Sequence, residues 1–180
     1  MSDEYPVSED TLLLEDSISN RSGGLFLEIG TGSGYVLLRS ASRFNYSVGT
    51  DLVKEGLIKA KEAAKKERVL ADFILCDLAS ALRDNSFDLV AFNPPYLPSR
   101  SLTDLATNGL RDGVQVPARF LEDAIRVVRS SGEIIFITST ISEYEELLKL
   151  AEERDFKAKV LMRKKLFFEE LLSVSLRPNA

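Results

Sequence analysis

The residues with the clearest chemical potential are Asn93, Pro94, Pro95 and Tyr96, in the stretch AFNPPYLPS, residues 91 to 99. Two adjacent prolines remove two backbone donors and restrict the residues around them. Such a stretch ends a strand and freezes a loop. The residue before a proline is held extended, so the Asn93 amide oxygen and the Pro94 carbonyl can point one way as two fixed acceptors. Two acceptors aimed at one spot fit a planar –NH2 group with two hydrogens, and the Tyr96 ring can stack on the flat group that carries it. The chain has no histidine and one cysteine, Cys76. The usual general base is therefore absent, as are an internal disulfide and a cysteine-built zinc site. Chemistry falls to carboxylates, amides, backbone groups or a cofactor, and no metal is expected.

Three other stretches carry polar or glycine signals at the end of an apolar run. The first, EIGTGSG, runs from Glu28 to Gly34 and holds Gly30, Thr31, Gly32 and Gly34. Its glycines let the backbone turn tightly and lie against a ligand. The second ends at Asp51, about 20 residues beyond the glycines, a position that suits a ribose diol and equally a helix N-cap before Leu52. The third ends at Cys76-Asp77, where Asp77 could meet an adenine amine or serve as a cap. Together they describe a nucleoside lying across a sheet. A dinucleotide and S-adenosylmethionine both satisfy that description. The loop reads G-x-G-x-G rather than G-x-G-x-x-G, with Val36 where no glycine is needed, and this favours S-adenosylmethionine.

These residues need a frame. Apolar strands alternate with amphipathic helices along the chain. Strands are expected at LFLEIG, YSVGTD, ADFILCD, FDLVAFN and EIIFITS, with two more in the C-terminal third joined by a basic stretch. Helices are expected from about Ser8, over Tyr35 to Arg43, across LVKEGLIKAKEAAKKE, VPARFLEDAIRVV and SEYEELLKLAEER. SSG, residues 130 to 132, reads as a turn. The alternation implies an α/β fold with a mostly parallel sheet covered on both faces. In such sheets ligands bind beyond the carboxyl ends of the strands, where all four stretches fall. A length of 180 residues suits one domain, residues 1 to 180, with residues 1 to 20 as a helical lead-in. The net charge of −5 argues against direct nucleic-acid binding. The one basic cluster comprises Lys157, Lys159, Arg163, Lys164 and Lys165. No secretory signal or membrane-length apolar run is present, so no membrane association is expected and a cytoplasmic location is.

The residues resemble the Rossmann-like class I methyltransferases that use S-adenosylmethionine to modify planar nitrogens. EIGTGSG is similar to their first motif, Asp51 to their ribose acid, and NPPY to their amino-group clamp. Within them the chain most resembles the HemK-type protein-glutamine methyltransferases, in the short archaeal and eukaryotic branch. YPVSEDTLLL is similar to that branch's opening, with Tyr5, Glu9, Asp10 and Thr11 matching. GLRDGVQVPARFL matches at Asp112, Gly113, Arg119, Phe120 and Leu121. Two positions depart: the opening proline is Pro6, one place early, and Thr107 replaces a customary tryptophan.

The resemblance implies a seven-stranded, mostly parallel sheet with an antiparallel C-terminal strand. It implies cofactor contacts at Glu9, Thr11, Glu28, Gly30, Thr31, Gly32 and Gly34, and at Asp51, Leu52, Cys76, Asp77 and Asn93. Catalysis would fall to Asn93, Pro94 and Tyr96, and substrate contact to these with Pro95. The implied substrate is the G-G-Q glutamine of a class-1 translation release factor. A small zinc-binding activator protein would pair with edge strand 71–76, which is apolar and lacks proline and lysine. The competing reading is an N6-adenine methyltransferase on DNA or RNA. It shares the clamp but calls for a base-reading domain and a basic surface.

Overall fold

The computed structural model describes residues 8–95 and 115–179, so Tyr5, Tyr96, Thr107, Asp112 and Gly113 lie outside the described residues. Helix α1 (Glu9–Ile18) leads into strand β1 (Gly23–Ile29), then α2 (Tyr35–Ser40), with a 3-10 turn at Ala41–Arg43. There follow β2 (Phe44–Asp51), α3 (Lys54–Glu67), β3 (Ala71–Leu75) and β4 (Phe87–Phe92). The chain continues through α4 (Gln115–Val127), β5 (Val128–Ser139), α5 (Tyr144–Glu153), β6 (Phe156–Lys165) and β7 (Glu170–Pro178). The seven strands form one sheet in the order β3-β2-β1-β4-β5-β7-β6. Strands β1 to β5 run parallel, and β7 is antiparallel to both β5 and β6. The expected mostly parallel sheet with an antiparallel C-terminal strand is what forms.

Successive strand residues point to opposite faces, so a strand buried on both sides must be apolar throughout. Phe26 and Leu27 of β1, and Ile134 and Ile135 of β5, show this: neighbours in sequence, they enter different cores. Leu121, Ala124 and Val127 of α4 and Leu147 and Ala151 of α5 fill one face. Leu13, Leu14 and Ile18 of α1 with Val36 and Leu37 of α2 fill the other. The two clusters cover the two faces of the sheet and so hold in place the strands whose ends carry the candidate residues. Among the described residues no helix is long and apolar enough to cross a membrane.

Two expectations are corrected. The basic residues Lys157, Lys159, Arg163, Lys164 and Lys165 do not join the last two strands but lie within β6, and residues 166–169 make the connection. SSG is not a turn between α4 and a strand; it lies inside β5. The register advances from Phe87↔Val128 to Leu89↔Glu133, five residues of β5 against two of β4, so the segment is a bulge that stays paired at both ends. A Cβ on Gly132 would lie 3.0 Å from the Phe87 and Asp88 carbonyl oxygens, which is why this place takes glycine. Tertiary pairing overrode the local turn signal.

Candidate active site

The strand order turns away from β1 on both sides, towards β2 on one and β4 on the other, which creates the crevice where α/β sheets bind ligands. The glycine loop rises from the end of β1 into it. Gly30 and Thr31 donate their backbone N–H groups to the Thr50 carbonyl at 2.8 and 2.9 Å, which ties the loop to β2. Gly32 sits at φ 54° with nothing within 4 Å of where a side chain would go, so its outer surface faces open space. Gly34, at φ 81°, starts α2; a Cβ there would stand 2.9 Å from the Ala60 Cβ of α3. Two helices and a loop meet at a distance that only glycine permits.

Asp51 holds the loop in shape. One carboxylate oxygen accepts the Gly32 N–H at 2.8 Å and the other the Val53 N–H at 2.8 Å. Asp51 is not the N-cap of α3, which begins at Lys54 with Val53 as its N-cap; it instead tethers the chain entering the helix and organises the loop. Each oxygen retains a lone pair, so the carboxylate can also accept from a ribose diol. Leu52 follows it and is 67 % exposed, an apolar surface beside the acid. Cys76 lies just past β3, its N–H donating to the Asp51 carbonyl at 3.1 Å, so the two strand ends stay side by side.

Glu28 lies beneath the loop and is buried. Its Oε2 accepts from the Thr31 hydroxyl at 2.6 Å and from the Leu37 N–H at 3.0 Å. Burial pushes its carboxyl up to about 8; the two hydrogen bonds pull it down and the Asp51 charge pushes it further up. Glu28 therefore acts from within, joining the loop to α2.

At the end of β4, the Asn93 amide oxygen is buried and has no hydrogen-bond partner among the described residues. The other side-chain oxygens in that state are serine and threonine hydroxyls, which can rotate to share weak contacts, whereas an amide oxygen only accepts. A buried acceptor without a donor costs about 1–3 kcal/mol. Pro94 is buried and Pro95 half-buried beside it. Phe92 stacks on Phe136 at 5.3 Å and meets Phe120 at 5.6 Å, so the residue before Asn93 sits on an aromatic base.

The structure brings together Glu28, Gly30, Thr31, Gly32, Gly34, Asp51, Leu52 and Cys76, with Asn93 on the neighbouring strand end. Asp77 is there too, but its carboxylate is engaged by Arg119 of α4 at 2.7 Å. Glu9 is not brought to this place. Its carboxylate pairs with Lys164 of β6, four strands from β1, because α1 crosses the sheet towards β5, β6 and β7. Thr11 turns its N–H to Asp10 at 2.7 Å. Two participants carried no assigned role in the sequence reading. Phe120 lies against Gly30, 3.4 Å from where a Cβ would be, and links α4 to the loop. Gly56 in α3 lies under Gly32, whose carbonyl oxygen would be 2.9 Å from a Cβ. A glycine inside a helix costs about 1 kcal/mol against alanine, and that oddity was the available signal.

The chain matches the family described as the methyltransferase small domain over residues 7–167. It is 29 % identical over 178 residues to a protein of Methanocaldococcus jannaschii to which protein N5-glutamine methyltransferase activity is ascribed, covering 95 % of this chain and 90 % of that one. A stretch of 87 residues is 40 % identical to the release factor glutamine methyltransferase of Bradyrhizobium diazoefficiens, 44 % of this chain and 28 % of that one. Among solved structures, the E. cuniculi Mtq2–Trm112 complex, responsible for methylation of the eRF1 translation termination factor, superposes with a TM-score of 0.83 at 26 % identity. That match covers 99 % of this chain and 100 % of the other.

Proposed function

The chain belongs to the methyltransferase small domain family, and from that premise we propose that it methylates a glutamine side-chain amide, that of the G-G-Q motif of a class-1 translation release factor. The enzyme is an S-adenosylmethionine-dependent methyltransferase of the class I fold, and the bound cofactor supplies an electrophilic methyl on a sulfonium. The residues present fit it: an open glycine loop, a carboxylate with lone pairs to spare at Asp51, and an exposed apolar Leu52 alongside.

The observation that carries the planar-nitrogen reading is the unpartnered, buried Asn93 oxygen, and the glutamine methyltransferase relatives favour an amide over an adenine amine. An amide nitrogen is a poor nucleophile because its lone pair is delocalised into the carbonyl. Asn93 Oδ1 and the Pro94 carbonyl accept its two N–H bonds and fix the nitrogen facing the methyl. As positive charge develops on nitrogen, both contacts strengthen, so they act more on the transition state than on the ground state. The fold supplies position and fixed dipoles, and no strong base is needed before attack. Tyr96 completes the clamp by stacking on the flat amide.

A small activator protein is the second part of the reading. Strand β3 pairs with β2 on one side only and forms an edge of the sheet. Leu75 is 55 % exposed and the flanking Leu70 is 72 % exposed. An apolar edge with free backbone groups fits an added strand. The activator is of the small zinc-binding kind and pairs along residues 71–76.

The test is methyl transfer from labelled S-adenosylmethionine to intact release factor, with adenine-containing DNA and RNA alongside. Asn93→Ala should slow transfer roughly a hundredfold or more, the order for loss of one fixed transition-state contact. Cofactor affinity should stay within a few-fold. Transfer near the parent rate would sink the clamp, and transfer to adenine with none to release factor would replace the amide reading.

A further inference from the structure

The hairpin joining β6 to β7 carries Phe167 and Phe168, 91 % and 87 % exposed, edge to face at 4.6 Å. The Leu166 N–H donates to the Glu169 carbonyl at 2.8 Å, so the two phenylalanines occupy the central positions of a tight hairpin turn. Neither phenylalanine has a positive φ, so the turn admits most residue types and does not itself call for an aromatic pair. Neither turn chemistry nor packing accounts for two bare rings there.

The hairpin is also held rigid. Leu166 packs against the core, Glu169 accepts from the Ser139 hydroxyl, and the Thr140 N–H donates to the Glu170 carbonyl at 3.0 Å. Ser139 ends β5, and Leu171 pairs with it, so the tip stands at the carboxyl end of the parallel strands, the end that holds Asn93. Strand β6 lies three places from β4, about 14 Å at ordinary strand spacing. A small molecule seated at Asn93 does not reach the tip; a folded protein does.

We infer that Phe167 and Phe168 are a docking anchor for the protein substrate, binding an apolar patch on the release factor beside the loop that carries the target glutamine. The inference rests on the amide reading above. The charges around the tip favour a protein over a nucleic acid. Arg163 pairs with Glu170 at 2.8 Å and Lys164 pairs with Glu9, so much of the local positive charge is already neutralised. Two rings edge to face among neutralised ion pairs suit an apolar protein surface with a polar rim, rather than a phosphate backbone. The activator edge, β3, is at the opposite side of the sheet, so the two surfaces do not compete.

The experiment compares the parent with a Phe167→Ser, Phe168→Ser double variant, each co-expressed with the candidate activator. Each is assayed on intact release factor and on a short synthetic peptide carrying the same glutamine. KM for the intact factor should rise at least tenfold, as for loss of an aromatic hot spot. The rate at saturation, S-adenosylmethionine affinity and the peptide kinetics should stay within about twofold. An unchanged KM for the intact factor while the parent transfers overturns the inference and leaves the amide reading standing. Equal losses on peptide and intact factor overturn it too. So does a parent dimer that the substitutions dissociate, or an oligouridylate complex that they abolish. A parent that binds S-adenosylmethionine but methylates neither factor nor peptide overturns the amide reading and the anchor together.

Discussion

Replacing Glu28 with glutamine tests the interior of the site through stability alone. Glu28 is buried and its carboxyl is pushed up to about 8 from 4.5, first by burial. In the unfolded chain it loses its proton near the ordinary value; in the folded chain it keeps it until near 8. Between these values the folded state binds more protons, so stability falls as pH rises. The slope approaches 1.36 kcal/mol per unit, and between pH 5 and 7.5 the single group removes about 3 kcal/mol. Glutamine has no such titration, and its carbonyl can still accept from Thr31 and Leu37. Glu28→Gln should therefore gain on the parent by about 3 kcal/mol across that window. Urea unfolding of both proteins at pH 5, 6, 7 and 7.5 measures the gap, and comparison of the two cancels every other titrating group. A gap constant to within about 0.5 kcal/mol, the usual error of additivity, would refute the reasoning.

Asp51→Ala should weaken S-adenosylmethionine binding by about 1.5–3 kcal/mol, the range for hydrogen bonds to a charged group, and it should also lower stability because the Gly32 and Val53 N–H groups lose their acceptor. Calorimetry and melting measure the two effects, and unchanged affinity would leave Asp51 a purely structural tether. Gly56→Ala sets about 1 kcal/mol of helix propensity against a Cβ 2.9 Å from the Gly32 carbonyl oxygen. Overpacking of that kind costs about 1–3 kcal/mol, so cofactor affinity should fall severalfold with no gain in melting temperature; a stabilised variant with parental affinity contradicts the packing account. Leu75→Lys alters a 55 % exposed side chain, so the lone chain should keep its stability to within about 0.5 kcal/mol while co-purification with the activator is lost. A complex indifferent to this change would move the activator off β3.

Much of the architecture was legible without coordinates because its signals are local. A run such as LFLEIG or EIIFITS, apolar on both alternate sets of positions, can only be buried on both faces, and the charged helices between such runs leave few sheet orders open. The glycines of EIGTGSG, Asp51 and Asn93-Pro94 announced themselves through backbone demands that hold wherever the chain goes. The strand at 71–75 was recognisable as an edge only through the family resemblance, and the sheet places it there. Other features depended on what the fold set beside each residue. SSG has the composition of a turn, yet pairing before it at Val128 and after it at Glu133 draws it into β5 as an unpaired bulge. Glu9 shares the opening motif with Asp10 and Thr11, but the path of α1 delivers it to Lys164. Asp77 finds Arg119 from 42 residues away. Gly56 and Phe120 acquire their roles only when α3 and α4 close on the glycine loop. Glu28 is readable in the sequence as the acid that opens EIGTGSG, but only the walls of the folded core raise its proton affinity. Dihedral preference and hydrophobic period are properties of a few neighbouring residues, so sequence displays them; burial, register and charge pairing join residues far apart in the chain, and they come into being with the tertiary structure.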